Sequence, residues 1–376
     1  MNKFDYFSLL LIFSIIINAC NPKKSEETMP NKGTVTSEIH KTVDGTEVKR
    51  FVLTNANGIE VTAMNYGGII TSIKVPDRNG KFENIILGFD SLETYLRRNP
   101  FFGALVGRYG NRIENAKFSL DDTEYTLTSS IHGGPVGFDK VIWEAAEFEN
   151  ENGVGIKLTH TSPDMDQGFP GNLNVVITYF LSNDNELSFD YYATTDKPTI
   201  VNLTQHSYFN LSAFNSDVLG HELMLNSSKV LVVNDKLIPT GEYRPVADTP
   251  FDFTVSKTLG RDIESDDEQL AFGRGYDHCF VVNKSDQDIP LFGTVYEPQS
   301  GRVMEWYTTE PGVQLYTANN LNNVAGRDGV TYMRRDGFCL ETQHYPDSPN
   351  KPEFPTTRLN PGEEYHTITK IKFSTK

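Results

Sequence analysis

Positive charge is what this chain is short of. Its 34 Lys and Arg face 50 Asp and Glu, a formal net charge of −16. Such a surface repels phosphate backbones and anionic headgroups, which excludes a nucleic-acid partner and an electrostatic grip on a membrane. Cysteine is scarce as well. Three residues cannot build a disulfide framework. Long apolar runs are missing except for Phe7 to Ile17, which is too short to span a bilayer. No Gly-Lys-Ser/Thr follows Gly133-Gly134, so that pair is not a phosphate loop, and no His-Glu-x-x-His pair offers close-spaced metal ligands. Helix signals are few; Asp90-Ser91-Leu92-Glu93 reads as a capping box opening a short helix to about Arg98. Residues 34–376 contain no internal repeat, low-complexity block or Pro/Gly linker, and their length fits one large domain or two.

What the chain does have is aromatic and turn-forming residues. Its 376 residues include 24 Phe, 17 Tyr and 29 Gly, a mixture that favours strands and turns over helices. Short alternating runs end at turn signals: Glu47 to Leu53 before Asn57-Gly58, Ile69 to Val75 before Asp77-Arg78-Asn79-Gly80, and Val175 to Leu181 before Asn183-Asp184-Asn185. This spacing predicts antiparallel strands in packed sheets.

The N-terminus has its own pattern. The Phe7–Ile17 run follows Lys3, has the length of a signal-peptide core and ends Asn18-Ala19-Cys20. That ending resembles the bacterial lipobox, in which the Cys is lipidated and becomes the mature N-terminus. The predicted organisation is a signal peptide over 1–19, a lipidated Cys20 with a flexible polar tether over 20–33, and a folded domain over 34–376. The expected location is the bacterial cell envelope, held to a membrane through the lipid anchor only.

The most informative stretch is Asn202-Leu203-Thr204-Gln205-His206-Ser207-Tyr208-Phe209-Asn210-Leu211. With a period of two, Asn202, Thr204, His206, Tyr208 and Asn210 share one face of a predicted strand. That face carries amides, hydroxyls, an imidazole and an aromatic ring but no formal charge, a set suited to hydroxyl groups. Phe338 to His344 is a second strand, in which Glu341 sits among apolar neighbours. A carboxyl so placed is costly unless it is hydrogen-bonded or has a task, and a structural salt bridge is the plainer alternative. Gly312 to Thr317 puts Gln314 and Tyr316 on one face. His132 lies in Ile131-His132-Gly133-Gly134-Pro135, where glycines allow close approach of backbone to a ligand. Asp277 precedes the predicted strand Cys279 to Val282 and reads equally as a cap of that turn.

These segments, in order, resemble the aldose 1-epimerase (galactose mutarotase) family. The carriers are Phe102-Gly103-Ala104, Gly107-Arg108-Tyr109-Gly110-Asn111-Arg112-Ile113, His132-Gly133-Gly134 with Gly137-Phe138-Asp139-Lys140, and Gly168-Phe169-Pro170-Gly171. Asn202 to Leu211, Tyr276-Asp277-His278, Pro311-Gly312-Val313-Gln314, Leu340-Glu341-Thr342-Gln343 and Arg358 to Tyr365 complete the set. The resemblance runs from about residue 35 to the end; Gly110 departs from it, where the family more often has Ala. It implies an all-β fold, a single large antiparallel β-sandwich of the galactose mutarotase-like supersandwich type, with sugar on a concave sheet face. It also implies that Glu341 is a general base and His206 a general acid, with Asn111, Arg112, His132, Tyr208, Asp277 and Gln314 as sugar contacts. The substrate would be a free aldose such as glucose or galactose, with no metal and no other cofactor.

Anomer exchange needs one proton taken from the C1 hydroxyl and one given to the ring oxygen. Model values near 4.3 for a Glu and 6.5 for a His predict an ionised base beside an imidazole able to hold a proton. A glycosidase would want two facing carboxylates, and a phosphosugar epimerase would want more basic residues than Arg112. A metal hydrolase would have to use His132, His206 and Glu341. A non-catalytic carbohydrate-binding protein would not need both Glu341 and His206.

Overall fold

Strand residues that alternate in burial build the largest sheet. In Leu173–Ser182, Leu173, Val175, Ile177, Tyr179 and Leu181 are buried while the intervening residues are not, and the next strand, Glu186–Thr195, repeats the pattern with Leu187, Phe189, Tyr191 and Ala193. One apolar face and one wetter face is what a sheet covered on one side requires. The computed structural model describes residue 1, residues 32–97 and residues 99–376. The apolar run, Cys20 and the tether as far as residue 31 lie outside the described residues, as does Arg98.

Nine strands form this sheet in the order Lys257–Thr258, Glu222–Leu225, Leu291–Tyr296, Arg302–Thr308, Tyr365–Thr375, Glu186–Thr195, Leu173–Ser182, Gly153–Ser162 and Glu144–Asn150. A five-stranded meander precedes it in sequence: Thr34–Val43, Thr46–Thr54, Glu60–Met64, Ile70–Pro76 and Phe82–Asn84. A second five-stranded sheet has the order Pro239–Pro245, Lys229–Val233, Asp277–Val281, Gly312–Tyr316 and Cys339–Gln343. Neighbouring strands within all three sheets are antiparallel. The inner face of the large sheet meets both smaller ones. Ile177, Leu187, Trp306 and Ile371 share one contiguous cluster with Phe51, Val61 and Ile73 from the meander and with Phe280, Val313 and Leu340 from the other sheet. The architecture is a large antiparallel β-sandwich. Burying each Leu, Ile or Phe side chain contributes roughly 1.5–3 kcal/mol, and Lys32–Lys376 form one compact unit.

Two expectations need correction. A helix does start after Ser91 and runs Leu92–Leu96, but the Ser91 side chain does not cap it; its hydroxyl pairs with the Thr94 hydroxyl at 3.2 Å. The stretch Asn202–Leu211 is not one regular strand. Only Thr204–His206 is, paired with Ala104–Val106, and Asn202 and Phe209 make isolated bridges to Tyr109, Ile86 and Phe338. All ten residues are buried. The polar face is therefore split by task. Asn202 donates to the carbonyls of Gly110 and His344, and Asn210 to those of Ser216 and Asp336, so both tie backbone together. Only His206 and Tyr208 of that face line an open cleft.

Candidate active site

Two strands bring the central pair together. Phe209 and Phe338 exchange backbone hydrogen bonds at 2.7 and 3.0 Å, and Asn202 grips His344 through its side chain. This antiparallel register sets His206 opposite Glu341, with His206 Nε2 3.6 Å from Glu341 Oε1. Glu341 in turn lies opposite Gln314 in the neighbouring strand, and Gln314 opposite Cys279, two residues beyond Asp277. Every one of these positions comes from a different part of the chain.

The cleft above them holds about 210 Å³ and is lined by Pro100, Phe101, Asn111, Arg112, Ile131, His132, His206, Tyr208, Asp277, Tyr316, Asn320 and Glu341. A larger hollow of about 330 Å³ lies elsewhere, but the acids lining it, Glu60, Asp90 and Asp328, reach solvent. In the smaller cleft the acids are buried, Glu341 at 2% exposure and Asp277 at 7%.

His132 is held by its loop. Its φ of +51° is left-handed, and Gly133 follows at +78°, where any Cβ would strike the Gly107 carbonyl. The Asn111 N–H donates to His132 Nδ1 at 3.2 Å. Burial, then the neighbouring His206 and Arg112, hold this imidazole well below the usual histidine range. A neutral ring with Nδ1 accepting carries its proton on Nε2, so His132 is a donor. Ligand atoms of His132, His206 and Glu341 do lie within 4.8 Å of one another. However, a metal ligand needs a free lone pair, and that of His132 is already occupied by a backbone N–H. The donor set does not fit a metal as it stands.

Arg112 Nη2 lies 3.4 Å from Asp277 Oδ2, and Asn111 Oδ1 accepts from Arg112 Nη1 at 3.3 Å. Asp277 is the first residue of a strand and caps no turn. Gln314, expected as a sugar contact, does not line the cleft. Its Nε2 donates to Asp277 Oδ1 at 2.7 Å, which orients that acid, while its Oε1 is buried with no partner in the protein. Tyr208 presents its ring, because its hydroxyl donates to the Pro100 carbonyl at 3.0 Å. Arg108, the other arginine of the Gly-rich motif, is fully buried and donates to Ser162, Pro170 and Gly171, a fold-building role. Gly110 abuts Thr204: a methyl there would sit 3.0 Å from the Thr204 Cγ2.

Sequence reasoning placed Tyr316 on the strand face of Gln314 without assigning it to the site, and it missed Phe101 and Asn320. Phe101 adjoins the Phe102-Gly103-Ala104 motif but lies outside it, and Asn320 belongs to an irregular loop with no periodicity.

Electrostatics departs from the simple picture of an ionised Glu beside a protonated His. Burial, reinforced by the Asp277 charge and opposed by Arg112, pushes the Glu341 carboxyl up to about 8. Burial likewise pushes the His206 imidazole down to about 4, against the pull of a backbone hydrogen bond and Asp277. Removing water disfavours the charged form of each group. The pair therefore holds one shared proton across the neutral range. Glu341 Oε2 is buried with no partner in the protein, an expensive state for a carboxyl oxygen that is not reserved for a ligand.

The fold and cleft define a class: an antiparallel β-sandwich with a buried Glu–His pair under a cleft of neutral and charged hydrogen-bonding groups. The family model described as aldose 1-epimerase matches residues 49–372. Galactose mutarotase from Rattus norvegicus is 41% identical over 337 residues, covering 88% of this chain and 95% of the relative. Aldose 1-epimerase from Escherichia coli is 37% identical over 337 residues, covering 88% and 96%. Among solved structures, galactose 1-epimerase from Lactobacillus acidophilus superposes with a TM-score of 0.80 at 27% identity, covering 91% of this chain and 99% of that one. An aldose epimerase homologue from C. elegans gives 0.78 at 28% identity, covering 85% and 96%. The chain belongs to the aldose 1-epimerase family.

Proposed function

We infer that this protein is a mutarotase that interconverts the α and β anomers of free aldoses, with Glu341 and His206 as its acid–base pair. The observation that carries the reading is the buried, unpartnered Glu341 Oε2, with Oε1 3.6 Å from His206 Nε2, in a cleft that also presents Asn111, Arg112, His132 and Asp277. In the forward step the Glu341 carboxylate takes the C1 hydroxyl proton while the His206 imidazolium gives its proton to the ring oxygen. The bond between C1 and the ring oxygen breaks and C1 becomes a carbonyl. Rotation about the C1–C2 bond and the reverse transfers close the other anomer.

Burial gives this cycle its balance. Opening the ring converts Glu341 carboxylate and His206 imidazolium into a neutral acid and a neutral imidazole. Those are the forms that desolvation favours. The low-dielectric site thus offsets the cost of the open-chain sugar, while sugar hydroxyls donating to Oε2 favour the charged form when the ring is closed. Each transfer partner contributes roughly 10²–10⁴-fold. Arg112, Asp277, Asn111 and the Nε2–H of His132 are the hydrogen-bonding groups available to the remaining hydroxyls.

The test is polarimetric or NMR measurement of anomer exchange with pure anomers of several aldoses, before and after chelator treatment. Catalysed exchange that survives chelation is expected. Sugar binding without exchange would turn the reading to a carbohydrate-binding protein, and loss restored by zinc would turn it to metal chemistry.

We also infer that Cys20 carries a lipid and tethers the protein to the bacterial cell envelope. The support is the sequence Phe7 to Cys20 alone. One fatty chain holds a membrane weakly, so several are expected. Cys20→Ser should abolish acylation, and a native N-terminus without lipid mass would refute the anchor.

A further inference from the structure

Phe101 adopts a backbone conformation that a bulky side chain avoids. Its φ is +64°, the left-handed region where large residues are genuine outliers. Such strain persists only where the surroundings over-determine it, and it gathers at functional sites. Here the surroundings are explicit. The Phe101 N–H donates to Asn99 Oδ1 at 2.8 Å, and Asn99 Nδ2 donates to the Tyr95 carbonyl at 3.0 Å. The Phe101 carbonyl accepts from the Ala104 N–H at 3.0 Å. The neighbouring Pro100 carbonyl is held by the Tyr208 hydroxyl, which belongs to the cleft itself.

The result is a ring set against both imidazoles. Its centroid lies 4.7 Å from that of His132 and 6.0 Å from that of His206, to which it is nearly parallel at 18°. Tyr208 stacks on the same imidazole at 5.0 Å and 17°. The other groups around His206 are Glu341, the Cys339 thiol at 3.6 Å from Nδ1, His132 and, by charge, Asp277; Arg112 acts on Glu341 and His132. Of the cleft's Phe and Tyr rings, Phe101 and Tyr208 stack on the His206 imidazole, whereas Tyr316 meets the Tyr208 ring edge-on.

We propose that Phe101 is a positioning residue, whose strained backbone holds its ring as a wall that keeps water from the His206–Glu341 pair. This rests on the mutarotase reading of the same site. Removing the wall hydrates the pair. Glu341 then relaxes from about 8 toward its ordinary value and His206 rises from about 4 toward its own. The sign follows. A hydrated pair loses its shared proton near 6.5, the model histidine value, so the alkaline limb of the pH–rate profile moves down.

The experiment compares Phe101→Gly, Phe101→Asn and Phe101→Leu by anomer exchange across pH and by thermal unfolding. Gly and Asn tolerate a positive φ, so both variants keep the turn while removing the ring. Expected are a kcat lowered roughly tenfold or more, an alkaline limb displaced downward in the Gly and Asn variants, and a Tm that does not fall in Phe101→Gly. Phe101→Leu, which retains an apolar wall, should keep the limb nearer that of the wild type. Unmoved limbs in both the Gly and Asn variants would overturn the proposal, as would equal losses in all three that follow Tm alone. Wild-type protein without exchange activity would instead refute the mutarotase reading, so the two failures are distinct.

Discussion

Among the described residues, two buried glutamates each face a histidine, with Glu341 and His344 three residues apart on one segment, and the two pairs behave oppositely. In His344–Glu310, Nδ1 lies 2.7 Å from Oε2, and the other carboxyl oxygen accepts from the Tyr365 hydroxyl at 3.0 Å. Burial works to lower the His344 value, yet the Glu310 charge and hydrogen bond outweigh it and the imidazole titrates above its ordinary range. In His206–Glu341 the gap is 3.6 Å, one carboxyl oxygen has no partner, and burial drives both groups toward neutrality. The first pair is a closed ion pair that belongs to the fold. The second is left open for a ligand. Residue type is the same in both and both carboxyls are 2% exposed, though His344 is more open than His206; completeness of hydrogen bonding separates structure from chemistry.

The largest effects should separate the pairs cleanly. Glu341→Gln keeps the shape but removes the proton acceptor, so turnover should fall roughly 10²–10⁴-fold with sugar binding retained. His206→Asn should fall similarly, and the double variant should be less impaired than the product of the singles. A folded Glu341→Gln protein exchanging anomers at the wild-type rate would end this assignment.

Next comes stability. Glu310→Ala leaves the His344 imidazole and the Tyr365 hydroxyl without their carboxylate and should cost about 1–3 kcal/mol, read by denaturant or thermal unfolding. Glu341→Gln should cost little, and at alkaline pH should raise Tm. The sign is set by a folded value raised to about 8 from a model 4.5. Stability contributed by the protonated acid is lost as pH rises through that window, and Gln does not titrate. An equal loss of stability in both variants would erase the distinction.

The pH dependence sharpens it further. The catalytic pair titrates as a unit, so kcat should be bell-shaped, with limbs near the about 4 and about 8 of His206 and Glu341, provided chemistry limits the rate. The His344 contribution has a different course. Because its folded value is raised, stability is fully present below the unfolded value of about 6.5 and is lost as pH rises through the folded one. His344→Gln should flatten that slope without moving the limbs of kcat.

The smallest effect tests a third carboxyl, Asp277, which is in the cleft but partnered. Gln314→Leu frees Asp277 Oδ1 from its 2.7 Å hydrogen bond. One such bond contributes about 0.5–1.5 kcal/mol, so KM should rise a few-fold while kcat changes less. A kcat loss as large as that of Glu341→Gln would show that Gln314 acts on the pair itself.

Sequence by itself determined the strand-rich antiparallel sandwich, because period-two burial is a local property: the run Val175 to Leu181 lies within the strand Leu173–Ser182, and Glu47 to Leu53 within Thr46–Thr54. The order of the motifs sufficed for the family, and seven of the eight predicted chemistry-bearing residues line one cleft. Only the tertiary structure decided how those residues divide the work. It turned Asn202 and Asn210 into backbone ties, linked Gln314 to Asp277 and brought Phe101 onto two imidazoles. It also inverted the simple expectation for protonation. Alternation tells which face a side chain shares, but pKa and hydrogen-bond completeness depend on what packs against that face from distant parts of the chain. For Glu341 the neighbours that matter, His206, Asp277 and Arg112, lie 64 to 229 positions away, and no local pattern encodes their distance.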